Sequence, residues 1–164
     1  MAGDFALLAL FYGHIISAML WLGGGILLTF VIGPNVRTLT PAAGTEFMAK
    51  VMPKIIRFFL AAIGSTFLFG ILLFFYIGAS FASSLYVGIA LALVIAGVVF
   101  SLTVPSFNKV IKISQERIAS GAQGPPPPEM MKFSKRARTG SLIGVVLLLV
   151  VLALMIVSAL GITY

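Results

Sequence analysis

The sequence predicts an all-α polytopic membrane protein with four transmembrane helices, and three observations carry that prediction. Of the 164 residues, 60% are apolar and only 9% charged, whereas a soluble domain carries about a quarter charged residues. Four stretches are each long enough to cross a bilayer, which takes roughly 20 mostly apolar residues. All eleven Lys and Arg fall in, or at the edge of, two of the segments that join those stretches.

The first stretch runs from Phe5 to about Ile32. Its flank carries Asp4 and no base, and its apolar run is long, so it is expected to be a spanning helix rather than a signal peptide. Thr40-Pro41 then reads as an N-cap followed by Pro at the first helical position. Glu46 and Lys50, spaced i, i+4, can pair on that helix. Helix two is expected to begin near Pro41 and rise into the membrane, with a kink at Pro53, and its apolar part runs from about Ile55 to Ala79. An uncharged loop follows around Ser80 to Ser84. The third stretch runs from about Leu85 to Val104. Beyond it, Ser106 to Ala119 sets Phe107, Ile111 and Ile118 on one face against Lys109, Lys112 and Arg117. That segment either extends helix three or lies on the membrane surface. Gly121 to Pro128, with four consecutive prolines, is a polyproline linker. The fourth stretch runs from about Gly140 to Ile162.

Orientation follows from charge. Arg37, Lys50 and Lys54 lie between stretches one and two, Arg57 sits at the very start of stretch two, and the other seven bases lie between three and four. The positive-inside rule places the loops 33–54 and 105–139 in the cytoplasm and both termini outside a plasma membrane. The pI of about 10.2 then reports topology and contact with anionic lipid head groups, and no nucleic-acid partner is expected.

The chain is read as one domain, residues 1–164, built from two hairpins in parallel orientation, 1–79 and 80–164. After Gly25 comes ILLTFVIGPNVR, and after Gly97 comes VVFSLTVPSFNKV. Each is an apolar run followed by Pro, Asn and a base. Parallel repeats are a known membrane architecture, with sites at the repeat interface. Any two hairpins that obey the charge rule would share part of this likeness.

Chemistry is scarce. There is no Cys, so thiolate metal sites and thiol catalysis are excluded. No Asp, Glu, Lys or Arg lies within the four apolar cores, and side-chain acid–base catalysis lacks its usual groups, so no enzyme activity is expected. His14 is the one ionisable candidate at membrane depth, ~13 Å along the helix from Phe5 at 1.5 Å per residue. Trp21 shares its face at heptad spacing, with Ala18 between and Gly25 beyond. That face could bound haem with His14 as an axial ligand, or His14 could hydrogen-bond across helices. Gly23, Gly24 and Gly25 suit close helix contact. Met48 and Met52, spaced i, i+4, could hold Cu(I) or simply pack. Ser17, Thr29, Ser65, Thr66, Ser101 and Thr103 are the only polar lining that a transport path could use.

The motifs His14-x6-Trp21-Leu22-Gly23-Gly24, Val31-Ile32-Gly33-Pro34 and Lys50-Val51-Met52-Pro53 resemble the copper-resistance-D-like family of small membrane proteins. They are more distantly similar to the membrane protoporphyrinogen oxidase family, which carries a His early in helix one. The resemblance covers about the first 75 residues. It implies a ligand-bearing role for His14 and a theme of copper or haem. This chain has a single His and no lysine early in helix three or four to support the oxidase chemistry. The expectation is an accessory subunit of a larger membrane-bound copper- or haem-dependent enzyme, partnered by the bilayer and by other membrane subunits or a second copy. A stand-alone haem- or copper-binding protein and a small-molecule transporter remain as alternatives.

Overall fold

A computed structural model describes residues 4–78, 83–122 and 124–160. These residues form five helices and no strand: α1 (Phe5–Val36), α2 (Pro41–Lys50), α3 (Met52–Ile77), α4 (Leu85–Ala119) and α5 (Pro128–Ala159). All but α2 are long and apolar enough to cross a membrane. The uncharged loop expected at Ser80 to Ser84 lies largely outside the described residues, as do the hairpin boundary at 79 and 80 and the predicted end at Ile162.

Local chemistry explains each end. Asp4 caps α1, its Oδ1 accepting from the Leu7 backbone N–H at 3.1 Å, and Thr40 caps α2, accepting from the Ala43 N–H at 3.3 Å. The kink expected in helix two takes the form of a one-residue break at Val51. Pro53 has no N–H to donate, and its ring would collide with the carbonyl four residues back. The first helix therefore ends at Lys50, and α3 starts after Val51 with Pro53 in its first turn. Gly78 (φ 57°) and Gly121 (φ 63°) close α3 and α4 in the left-handed region that favours glycine. Pro127, at φ −65° and ψ 152°, has the polyproline geometry expected of the linker, and Pro128 opens α5.

The segment 106–119 continues helix three rather than lying apart. Of the expected face, Ile111 is buried and Phe107 packs in the same cluster. Ser106, Val110 and Ser114 also point inward, and Ile118, in the last turn of the helix, is 46% exposed.

Two wide turns interrupt otherwise α-helical spans. Residues Leu27–Ile32 of α1 and Val99–Thr103 of α4 are π-helical. Each wide turn closes on a bond five residues back, Gly33 N–H to Leu28 O and Val104 N–H to Val99 O. A proline follows each within two residues, Pro34 and Pro105. Inside a helix a proline ring presses on the carbonyl four residues earlier, and widening the preceding turn relieves that contact.

α1 packs chiefly on α3, and α4 chiefly on α5, while α2 lies along the second half of α4. All four spans supply the central core of Trp21, Ala62, Ile63, Ile95, Leu148 and Val151. A second cluster of Met52, Ile56 and Ile111 lies toward the end that carries the bases.

Candidate functional site

The three residues of the expected haem face occupy two different places. His14 faces α3. Its Nδ1 lies 3.0 Å from the Thr66 carbonyl oxygen, and its ring edge rests on Gly70, where a Cβ would come within 3.0 Å of Cε1. A carbonyl can only accept, so Nδ1 carries the proton, and in the neutral ring Nε2 is left with the lone pair. Trp21 is buried in the central core with its ring 6.0 Å from Phe67. Gly25 faces α5, where a Cβ would come within 3.2 Å of Val145.

Trp21 and Gly25 do line a common cavity, and His14 is not part of it. The cavity has a volume of about 70 Å³, well below the 300–1,000 Å³ typical of pockets for organic ligands. Its walls come from α1, α3, α4 and α5. A porphyrin does not fit there, so we derive no chemistry through haem. Among the described residues no three His, Cys, Asp or Glu side chains are grouped to hold a metal. Met52 is 2% exposed in the apolar cluster, with Met48 packed against it across the break at Val51. The pair is engaged in packing.

Of the six hydroxyls named as possible lining, Thr29 and Thr103 meet at the cavity. Each sits within one of the π-helical segments. Both Oγ1 atoms are buried and have no hydrogen-bond partner. Sequence reasoning named both residues but not their meeting. The signal lay in the prolines, which widen the turns that carry them. Thr66 bonds back to Ala62 O at 2.8 Å, and Ser101 to Gly97 O at 2.7 Å.

Gly140, Ser141 and Gly144 on α5 also line the cavity. This Gly-x3-Gly spacing, in a segment read only as the start of helix four, brings α5 against α4. A Cβ at Gly140 would collide with the Thr103 hydroxyl. A larger cavity of about 530 Å³ opens at the basic end between α2 and α4, lined by Thr40, Glu46, Lys50 and Arg117 among others. Lys50 pairs with Glu46, and Arg117 donates from one terminal nitrogen to the Gly124 carbonyl at 2.8 Å, while its buried Nε has no partner.

Glycine marks the remaining helix contacts. A Cβ at Gly13 would lie 2.8 Å from the Phe69 ring, one at Gly24 3.0 Å from Phe59, and one at Gly88 3.3 Å from Met155. Three glycines in the spans behave differently. Gly23, Gly64 and Gly97 are exposed, and a Cβ on any of them would meet nothing within 4 Å.

Comparison with protein-family models, with curated proteins and with solved structures finds no match.

Proposed function

We propose that this chain is a non-catalytic subunit of a larger membrane assembly. It packs against its partners through the outward faces of its spans. The observation that supports this is the sorting of its glycines. At several contacts inside the bundle a glycine receives the neighbour's side chain, as at Gly13, Gly24, Gly88 and Gly140. Gly23, Gly64 and Gly97 make the same shallow notches on faces that meet nothing within the chain. Membrane helices associate through small residues because hydrocarbon offers no hydrophobic drive for association. A helix costs roughly 0.5–1 kcal/mol for each Gly in place of Ala. Three such residues on outward faces are explained by partner helices seated over them.

The resemblance carried by His14, Trp21 and Pro34 makes copper- or haem-dependent membrane enzymes the class of host to search. On this reading the bases of loops 33–54 and 105–139 face the cytoplasm of a plasma membrane. A second reading keeps His14 as a ligand. The Nδ1 bond to Thr66 supports it, because a metal-bound imidazole commonly donates its other N–H to a backbone carbonyl. A single chain supplies one such nitrogen, so the remaining donors would come from another copy or another subunit.

Photo-crosslinking in the source membrane tests the subunit reading. A photoreactive side chain at 23, 64 or 97 should capture the same protein partners reproducibly. The same group at Leu8, 65% exposed with no glycine three or four residues away along its helix, should capture mainly lipid. Lipid adducts alone at all four positions would sink the proposal.

A further inference from the structure

We propose that the cavity between the two hairpins is a hydration site, holding one or two water molecules that hydrogen-bond Thr29 of α1 to Thr103 of α4. Thr29 is 8% exposed and Thr103 7%. Their Oγ1 atoms are buried without partners, and both residues line the same cavity of about 70 Å³. Leaving two hydroxyls unpaired in an apolar interior is costly, because each has given up its bonds to water and gained nothing in return.

The usual remedy inside a helix is a bond to the carbonyl four residues earlier. Thr45, Thr66, Ser106 and Ser114 all use it. Thr29 and Thr103 do not, and both stand in π-helical turns. Ser101, in the same turn as Thr103, does bond back, to Gly97 O at 2.7 Å, so the two threonines are the hydroxyls of these turns left without a partner.

Size and charge select the ligand. Water occupies about 30 Å³ in the liquid, and a buried molecule needs two to four polar partners. The cavity matches one or two waters, and the two threonine hydroxyls, each both donor and acceptor, supply the partners, with Ser141 also among the lining residues. No lining residue is charged, so a cation would lie there without a counter-charge, which is strongly unfavourable at low dielectric. A neutral hydroxylic ligand meets no such penalty. The bridge would form a polar link between hairpins otherwise joined here by Trp21, Ile63, Leu148 and their neighbours.

Infrared difference spectroscopy of the purified full-length chain in lipid nanodiscs tests this. Exchanging solvent for heavy-oxygen water shifts the O–H stretch of bound water and leaves threonine hydroxyls unmoved. The wild type should show shifted bands from weakly hydrogen-bonded water, and these should vanish in the Thr29→Val, Thr103→Val double variant. Valine keeps the shape, so unchanged helical circular dichroism would certify the fold. Each single variant should lower the thermal midpoint, because it strips a partner from the water and from the other hydroxyl. Wild-type spectra without a shifted band, or a band that survives in the double variant, would overturn the proposal. Single variants that raise the midpoint would do so too, since removing a hydroxyl from a dry cavity relieves its cost.

Discussion

The Nδ1 of His14 donates to the carbonyl oxygen of Thr66 across the α1–α3 interface at 3.0 Å. That carbonyl belongs to a residue whose own hydroxyl bonds back to Ala62, so the contact is made to a well-ordered stretch of α3. Hydrogen bonds of this kind between membrane helices average about 0.6 kcal/mol and reach roughly 1.7. His14→Ala should therefore destabilise the chain by ~1 kcal/mol, measured by reversible unfolding in mixed micelles, and leave membrane insertion unchanged. If His14 is a ligand within an assembly, the same variant should also remove haem absorbance or bound copper from the isolated complex. Full cofactor content in the variant would end the ligand reading and leave the structural bond.

Gly140 and Gly64 should respond oppositely to alanine. At Gly140 the new methyl would collide with the Thr103 hydroxyl, and overpacking of this kind costs about 1–3 kcal/mol. At Gly64 it would meet nothing, and the gain in helix propensity is roughly 0.5–1 kcal/mol. Unfolding midpoints of the isolated chain check both signs. A stabilised Gly140→Ala would show that α4 and α5 do not approach as closely as the structure has them.

Pro105→Ala should close the wide turn in α4. Alanine restores the missing amide and removes the ring that presses on the Ser101 carbonyl. A proline inside a helix costs about 3 kcal/mol, of which the wide turn already recovers part, so a stabilisation smaller than that is expected. Hydrogen exchange should show slower exchange from 99 to 104 in the variant. Unchanged exchange would mean that the turn has another cause.

At the basic end, the Lys50 side chain bonds to Glu46 and its positive charge adds to the effect. Together they hold the Glu46 carboxyl below the ordinary carboxylate range. A depressed folded-state pKa gives stability that is present above the ordinary value and lost as pH falls through the depressed one. Both side chains are exposed, so salt should screen this contribution. Glu46→Gln should flatten a small acid-side slope in the unfolding midpoint at low salt and change nothing at high salt.

Much of the fold was readable because apolar length and charge placement are one-dimensional signals. The four spans follow from runs of apolar residues. The caps at Thr40 and Pro41 and the Glu46–Lys50 pair follow from fixed local spacing. The break at Val51 and the two wide turns were harder to read. A proline announces that the amide ladder must give way, but whether it ends a helix, as at Pro53, or widens one, as at Pro34 and Pro105, depends on what packs beside it. The site was legible only in pieces. Thr29 and Thr103 were visible as hydroxyls in apolar runs, but their meeting depends on how one hairpin docks on the other. The face drawn through His14, Trp21 and Gly25 treated one helix as if it had one neighbour, whereas α1 contacts both α3 and α5. His14 turns to the former, and Gly25 to the latter.

The subunit reading is tested most directly by isolating the chain from its source membrane in mild detergent, separating native species, and weighing what co-migrates by mass spectrometry. A subunit should appear in a band in which this chain stands in constant ratio to larger membrane subunits. Substituting leucine at Gly23, Gly64 and Gly97 should deplete the chain from that band without unfolding it. A chain that migrates alone, with the leucine variants indistinguishable from the wild type, would contradict the subunit reading.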